Sequence, residues 1–140
     1  MTTFAGERGP IESRFLTNLA STPVCFENVP DPSAVTSAKG AGSPWVRLTI
    51  RDTASRTAGI AGANDILEEH RGLIIAQVFT RENTGTAAGR TLATTIATLY
   101  RHARFSGIKC LTPFCRVVGN DGNGWLQINV EVPYRRFSNT

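Results

Sequence analysis

The chain has 140 residues, of which 41% are hydrophobic and 19% are charged. This composition is typical of one globular domain and excludes fibrous, disordered and disulfide-rich secreted classes. No window approaches the roughly twenty apolar residues of a membrane span, and residues 1–10 lack a signal-peptide pattern, so we expect a cytosolic protein without membrane contact.

The formal charge of +4 is distributed unevenly along the chain. Residues 1–70 contain six basic and eight acidic side chains, whereas residues 71–140 contain nine basic and three acidic side chains. This asymmetry indicates either a nucleic-acid-facing surface or two oppositely charged surfaces on a subunit that stacks against others.

The first predicted elements are a helix and a short strand. Ile11, Phe15 and Leu19 recur every fourth position, which predicts a short amphipathic helix that covers a sheet. Residues 24–27 predict a brief strand that ends before two prolines. Residues 33–43 are mostly small and are predicted to form a loop.

A long polar segment then joins two predicted strands. Residues 45–52 alternate between apolar and polar side chains, which predicts a half-buried strand. Residues 53–69 are small and polar, and a structureless segment of this length is unusual inside a compact domain. We expect either a functional loop or an antiparallel hairpin arm that extends the flanking strands 45–52 and 71–81.

Residues 71–137 organise the predicted fold. Residues 72–81 form a nearly continuous apolar run, which predicts a buried strand. Residues 86–105 predict a long helix, and residues 108–118 and 125–137 predict two further strands joined by a glycine-rich hairpin connection. The helix is expected to bury one apolar stripe, formed by Ala88, Leu92, Ile96, Leu99 and Ala103.

Together these elements predict an α+β fold in a single domain, residues 1–140. We expect a mixed, mainly antiparallel sheet of about four to five strands, with two helices packed on one face. A hairpin-like arm projects at residues 53–69, and short tails flank the domain at residues 1–9 and 137–140.

Reactive side chains do not form a recognisable active site in the sequence. Cys25, Cys110 and Cys115 cannot all pair within one chain, and we expect reduced, buried thiols. The only histidines are His70 and His102, and the spacing of these five residues matches no zinc pattern. We therefore predict no catalytic residue, no metal and no cofactor.

The start of the long helix superficially resembles a phosphate-binding loop. Only three residues separate Gly85 from Gly89, however, and Arg90 stands where the signature requires lysine. We interpret this stretch as a helix start of small residues that packs closely on the sheet.

Basic and aromatic residues lie near each other in the second half of the chain. Arg101 is close to Phe105, and Arg135 follows Tyr134. Such residues can contact phosphates and stack on bases, so a small basic nucleic-acid-binding α/β module is one alternative.

Six segments of the sequence define a characteristic order of helices, strands and turns. They are the helix at 11–19, the turn at 26–30 (FENVP), the strand at 44–50 (PWVRLTI), the strand at 70–79 (HRGLIIAQVF), the helix at 85–105 and the closing strand at 124–134 (GWLQINVEVPY). This succession, which spans residues 10–137, resembles the tail terminator (tail completion) proteins of long-tailed bacteriophages and prophages.

The resemblance implies a structural virion protein and no enzymatic activity. Such proteins form a hexameric ring that caps the head-proximal end of the tail tube, stops tube polymerisation and joins the tail to the head connector. The implied partners are other copies of the chain in a homohexamer, the tail tube protein, head–tail connector or neck proteins, and the sheath protein if the tail is contractile. DNA passes through the lumen without sequence-specific binding, and assembly takes place in the host cytoplasm.

We expect the arm to reach a neighbouring subunit or the tube, because a polar arm with isolated apolar anchors is poorly stabilised alone. The predicted interface residues are Arg56, Ile60, Asn64, Asp65, Ile66, Leu67, Arg135, Arg136 and Phe137. The two terminal tails are further candidates for contacts between rings. Besides the nucleic-acid module, the alternatives are a head-completion or connector subunit and an unrecognised enzyme.

Overall fold

The computed structural model describes residues 4–139, which form three helices and seven strands. The helices are α1 (Arg8–Asn18), α2 (Ser33–Ala41) and α3 (Ala87–Tyr100). The strands are β1 (Val24–Phe26), β2 (Trp45–Gly62), β3 (Asp65–Arg81), β4 (Arg104–Phe105), β5 (Ile108–Cys110), β6 (Phe114–Asn120) and β7 (Trp125–Asn139). The predicted tails extend into residues 1–3 and 140, which lie outside the described residues.

β3 lies at the centre of the sheet, because it has a long strand on each side. β2 and β7 both pair with it in antiparallel orientation. β1 adds a parallel partner to the start of β2, and β4, β5 and β6 lie beyond β7. The sheet as a whole curls into a half-barrel.

The prediction of four to five strands with two helices is wrong, because the described residues form seven strands and three helices. The additional helix is α2, in the segment that was expected to be a loop. This helix is short and built from small residues, and it buries only Val35 and Ala38. It therefore lacks the repeated apolar stripe by which a helix is recognised in a sequence.

Residues 108–118 form two strands and not the single strand that was expected. β5 and β6 both pair with β7, but the register shifts by one residue between the Cys110–Tyr134 pair and the Phe114–Glu131 pair. Pro113 lies in this interruption and has no N–H group to donate to a ladder. β4 is a further strand of two residues that pairs with β5.

α3 is shorter than predicted, and of the predicted stripe only Ile96 is fully buried, while Leu92, Leu99 and Ala103 are partly buried against the core. The helix ends at Tyr100, and His102 just beyond it has a φ of 51°, which is incompatible with a right-handed helix. The residues buried along it are Gly89, Ala93, Ile96 and Tyr100. The expected close packing of the helix start is confirmed, because Gly89 is buried against β7. None of the described helices is long and apolar enough to cross a membrane.

The main core lies between one face of the sheet and the helices α1 and α3. α1 contributes Ile11 and Phe15. Tyr100 Oη donates a hydrogen bond of 2.8 Å to the carbonyl oxygen of Ile11 and so links the two helices inside the core. The strand residues on this face alternate along β2, β3 and β7 and are Val46, Leu48, Ile74, Ala76, Val78, Ile128, Val130, Val132 and Tyr134.

A second, smaller core lies on the opposite face of the sheet, under α2. Trp45 stacks on its cross-strand partner Phe79 with ring centroids 4.2 Å apart, and Trp125 meets Trp45 edge-on at 6.0 Å. Val35 and Ala38 of α2 pack on this aromatic cluster. Burial of the rings stabilises a helix whose own sequence gives it little amphipathic character.

Two glycines in helices give a matched test of how closely α3 approaches the sheet. A Cβ at Gly89 would lie 2.6 Å from Cδ1 of Ile128, whereas a Cβ at Gly40 would meet nothing within 4 Å. We expect Gly89→Ala to lower the free energy of unfolding by about 1–3 kcal/mol through overpacking. Gly40→Ala should raise it by about 0.5–1 kcal/mol, because alanine is the better helix former. Urea unfolding measures the free energy of unfolding of both variants. Equal changes in the two variants would contradict the close packing of Gly89 on the sheet.

Candidate interaction surfaces

The β2–β3 hairpin extends beyond the rest of the sheet and forms an arm. β7 accompanies β3 only as far as the pair of Leu67 and Asn139. Beyond that pair the arm tip, residues 60–66, has two strands within the described structure. Asn64 and Asp65 are exposed at its turn.

The ladder of the arm is irregular on the β2 side. Thr53, Ala58 and Ala61 are skipped in the pairing with β3, which gives three register shifts between Asp52 and Gly62. Irregularities of this kind increase the local twist and bend of a strand pair.

Apolar side chains are exposed on both faces of the arm. Ile60 is 73% exposed and lies directly opposite Ile66. On the other face, Leu67 and Phe137 are 36% and 44% exposed and occupy diagonal positions on neighbouring strands. Diagonal neighbours on one face are within reach of each other, so these two residues form one continuous contact surface.

An ion cluster lies at the base of the arm. Arg56 Nη2 donates a hydrogen bond of 2.9 Å to Glu69, and Arg71 Nε donates another. The two guanidinium groups cover the carboxylate, which is only 1% exposed, while both arginines remain more than half exposed. The hydrogen bonds from Arg71 and then Arg56 hold the pKa of Glu69 below its usual value. Arg56, a predicted interface residue, therefore also braces β2 against β3.

A histidine links three adjacent strands beside this cluster. His70 Nδ1 lies 2.8 Å from Ser55 Oγ on β2, and Nε2 lies 3.1 Å from Ser138 Oγ on β7. Glu68 Oε2 lies 3.5 Å from the same Nε2. Hydrolases also combine serine, imidazole and carboxylate, but there the acid alone contacts one ring nitrogen and so orients the imidazole. In this protein the hydroxyl of Ser138 shares His70 Nε2 with Glu68. We therefore interpret the group as a set of polar contacts that holds the three strands together.

The two predicted arginines of β7 lie in different environments. Arg136 is buried, and its Nε lies 3.1 Å from Oε1 of the buried Glu7. This ion pair attaches the segment before α1 to the end of β7. Arg135 lies on the opposite face of β7 and is half-buried beside Leu111 and Pro133. Of the predicted interface residues, Arg136 thus has an internal structural role.

One surface that the sequence did not reveal lies between α3 and β6. In the described sheet, β6 pairs with β7 on one side and with no strand on the other. A pocket of about 170 Å³ between α3 and β6 is lined in part by Arg90, Arg101 and Phe114. Neither guanidinium group has an ion pair or hydrogen bond within residues 4–139. We call Arg90, Arg101 and Phe114 the basic edge.

A second unpredicted surface lies on the outer side of β2. It is a pocket of about 190 Å³ with an apolar floor that includes Leu48 and Ile50. Arg8 is the one basic residue among its lining residues. Four carboxylates surround this pocket, which we call the acidic pocket: Glu7, Glu12, Glu27 and Asp52. Glu7 and Glu12 belong to the α1 segment, whereas Glu27 and Asp52 come from two further segments, so no sequence motif indicates the four together.

The three cysteines are free thiols in two kinds of environment. Cys25 and Cys110 are buried, and burial raises the pKa of both thiols, for Cys110 to about 11. Cys115 is exposed on β6, so the expectation that all three are buried is wrong for this residue. Among the residues that the structure describes, no group of three histidine, cysteine or carboxylate side chains could hold a metal ion.

Comparison with known proteins supports the architecture alone. No protein-family model matches the chain, and no curated protein matches it. One similar solved structure, whose name states no function, has a TM-score of 0.64 and 14% sequence identity, and the match covers 97% of this chain and 96% of the other. Similarity at this level of identity shows a shared fold and carries no information about function.

The ion cluster gives the arm a pH-dependent stability. The folded-state pKa of Glu69 lies below the unfolded-state value of about 4.3, so the carboxylate stabilises the fold above that value and loses its effect as the pH falls through the folded-state pKa. We expect Glu69→Gln to lower Tm near neutral pH and the difference from the wild type to shrink below about pH 4. Melting curves from pH 7 to pH 2 measure this, with Glu82→Gln as a control outside the arm. A constant difference would contradict it.

Thiol labelling distinguishes the cysteine environments. At pH 8 we expect one thiol, Cys115, to react rapidly with a disulfide reagent, because Cys25 and Cys110 are buried and protonated. All three should react in denaturant, and Cys115→Ser should abolish the rapid phase. Two rapid thiols in the native protein would show that one of the cores is open.

Proposed function

We propose that this protein is a tail terminator subunit of a long-tailed bacteriophage or prophage. In this proposal it forms a homohexameric ring on the head-proximal end of the tail tube, stops tube polymerisation and joins the tail to the head connector. The observation that carries the proposal is the arm, which projects from the sheet with Ile60 at its tip 73% exposed.

The arm has little to stabilise it in an isolated subunit. A two-stranded hairpin is at best marginally stable in water. The β2 side of the arm is rich in alanine, glycine, serine and threonine, so few large side chains pack across the pair of strands. Docking on another protein would bury Ile60 and Ile66, and full burial of such a side chain contributes about 1.5–3 kcal/mol.

A ring requires two different edges that can meet, because a heterologous contact repeated by rotation closes on itself. Within the described sheet, β6 has one free edge, and the outer side of β2 has no strand partner beyond Leu48. These edges lie on opposite sides of β3. This arrangement supports a subunit with one neighbour on each side.

The remaining partners follow from the proposed assembly. The tail tube protein and the head–tail connector or neck proteins would contact the two ends of the ring, and a sheath protein would contact it in a contractile tail. DNA would pass through the lumen without base-specific contacts. The excess of basic residues in the second half of the chain is compatible with a phosphate-facing lumen.

Deletion of residues 58–64 tests the function of the arm. The deletion leaves Thr57 paired with Glu68 and joins them through three residues, so we expect the two cores to be kept. The variant should give the circular dichroism spectrum of the wild type but should no longer stop tube growth. Electron microscopy of tube lengths, after the protein is added to polymerising tube protein, measures the arrest.

A double substitution provides a smaller change with a matched control. Ile60→Ser with Leu67→Ser removes apolar contacts from the arm, whereas Val29→Ser removes an exposed apolar side chain elsewhere. We expect only the double variant to lose capping activity.

Continued capping by the protein that lacks residues 58–64 would refute the proposal. Binding at the portal side instead of tube ends would favour a head-completion subunit.

A further inference from the structure

We propose that neighbouring copies of this chain join edge to edge, with Arg101 of one copy seated in the acidic pocket of the next. The inference rests on the proposed ring and names the contact between its subunits. The occupant of the acidic pocket is then an arginine of a second copy of this chain.

The acidic pocket matches the chemistry of a long cationic side chain. Leu48 and Ile50 supply an apolar floor on which a methylene stem packs, while the surrounding carboxylates pair with a charged head group. Arg8 is paired with Glu12 at 3.0 Å and so offsets one of the four carboxylates, which leaves the pocket acidic. A metal ion does not match, because the described carboxylates form no group of three that could hold one.

Glu7 is the buried carboxylate of the acidic pocket. Its side chain is 2% exposed, and its Oε1 forms the ion pair with Arg136. Glu27 and Asp52 are exposed and are therefore the carboxylates that a cation from a second molecule can reach.

The basic edge has the complementary composition. Arg90 lies in α3 and Arg101 directly follows its last residue, about three helical turns further along the chain. Both are exposed, and neither guanidinium group has an ion pair or hydrogen bond within residues 4–139, so their charges are available to a second molecule. Phe114 is half exposed and lines the same pocket.

The two surfaces lie at the same level of the sheet and on the same face. Leu48 in the acidic pocket pairs with Ala76, Ala76 pairs with Val130, and Val130 pairs with Cys115 beside the basic edge. Arg101 lines the pocket that contains Val130 and Cys115. The acidic pocket and Arg101 therefore mark opposite ends of one row of residues. A neighbour placed along this row brings opposite charges together, and repetition of the contact closes a ring.

A charge-swap experiment tests the contact. Glu27→Arg and Arg101→Glu each reverse one exposed charge, and each should raise the concentration for half-maximal hexamer formation at least about tenfold through like-charge repulsion. The double variant should return to within about threefold of the wild type, because opposite charges again meet across the interface. Asp52→Arg, alone and with Arg101→Glu, is a second pair in case one variant misfolds. Sedimentation velocity over a concentration series measures assembly, and circular dichroism checks folding.

The controls make the same charge changes elsewhere. Arg51→Glu lies on the other face of the sheet and Glu82→Arg in the turn after β3. We expect both to assemble like the wild type. Normal assembly of the folded single variants, or no recovery in either double variant, overturns the contact. So does a wild-type protein that stays monomeric both alone and with tube protein.

The outcomes separate this inference from the proposed function. If the wild type caps tubes as a hexamer but charge reversal has no effect, the function stands and the contact is wrong. If the charge swap restores a hexamer that does not bind tube ends, the contact stands and the tail terminator function is wrong.

Discussion

β3 is paired on both sides over nearly its whole length, and this constraint determines which parts of the molecule remain free. Its neighbours β2 and β7 each pair with β3 along one edge, and their second edge faces away from β3. β1 covers only the start of β2, and β5 and β6 cover β7 with an interruption between them. The acidic pocket and the basic edge lie at the two sides of the sheet that this pairing leaves open.

The sequence predicted the elements whose apolar residues repeat with a clear period. α1, β3, β7 and the first half of β2 lie where periodicity indicated them. α2 could not be recognised, because its stability comes from the ring stack of Trp45 and Phe79 beneath it. The strand count was wrong because β4 has only two residues and because a register shift near Pro113 divides the predicted strand 108–118 into β5 and β6. Whether such segments form strands depends on their pairing with β7 in the folded protein, and the local sequence does not encode that pairing.

The candidate surfaces were predictable to different extents. Ile60 and Leu67 are apolar residues in a polar segment, and that local contrast is visible in the sequence. Arg136 could not be assigned correctly, because its partner Glu7 lies at the other end of the chain. The residues of the acidic pocket also come from distant segments. The uneven charge of the two halves was the one sequence signal that pointed to oppositely charged surfaces, without locating either.

The three residues of β2 that are skipped in the arm have a geometric consequence. Thr53, Ala58 and Ala61 make β2 longer than β3 over the same span. A strand pair with extra residues on one side curves, with the longer strand on the convex side. The direction in which the hairpin points is therefore set by a residue count in one strand. Insertion or deletion of a single amino acid there would redirect the hairpin toward a different target and leave both cores untouched.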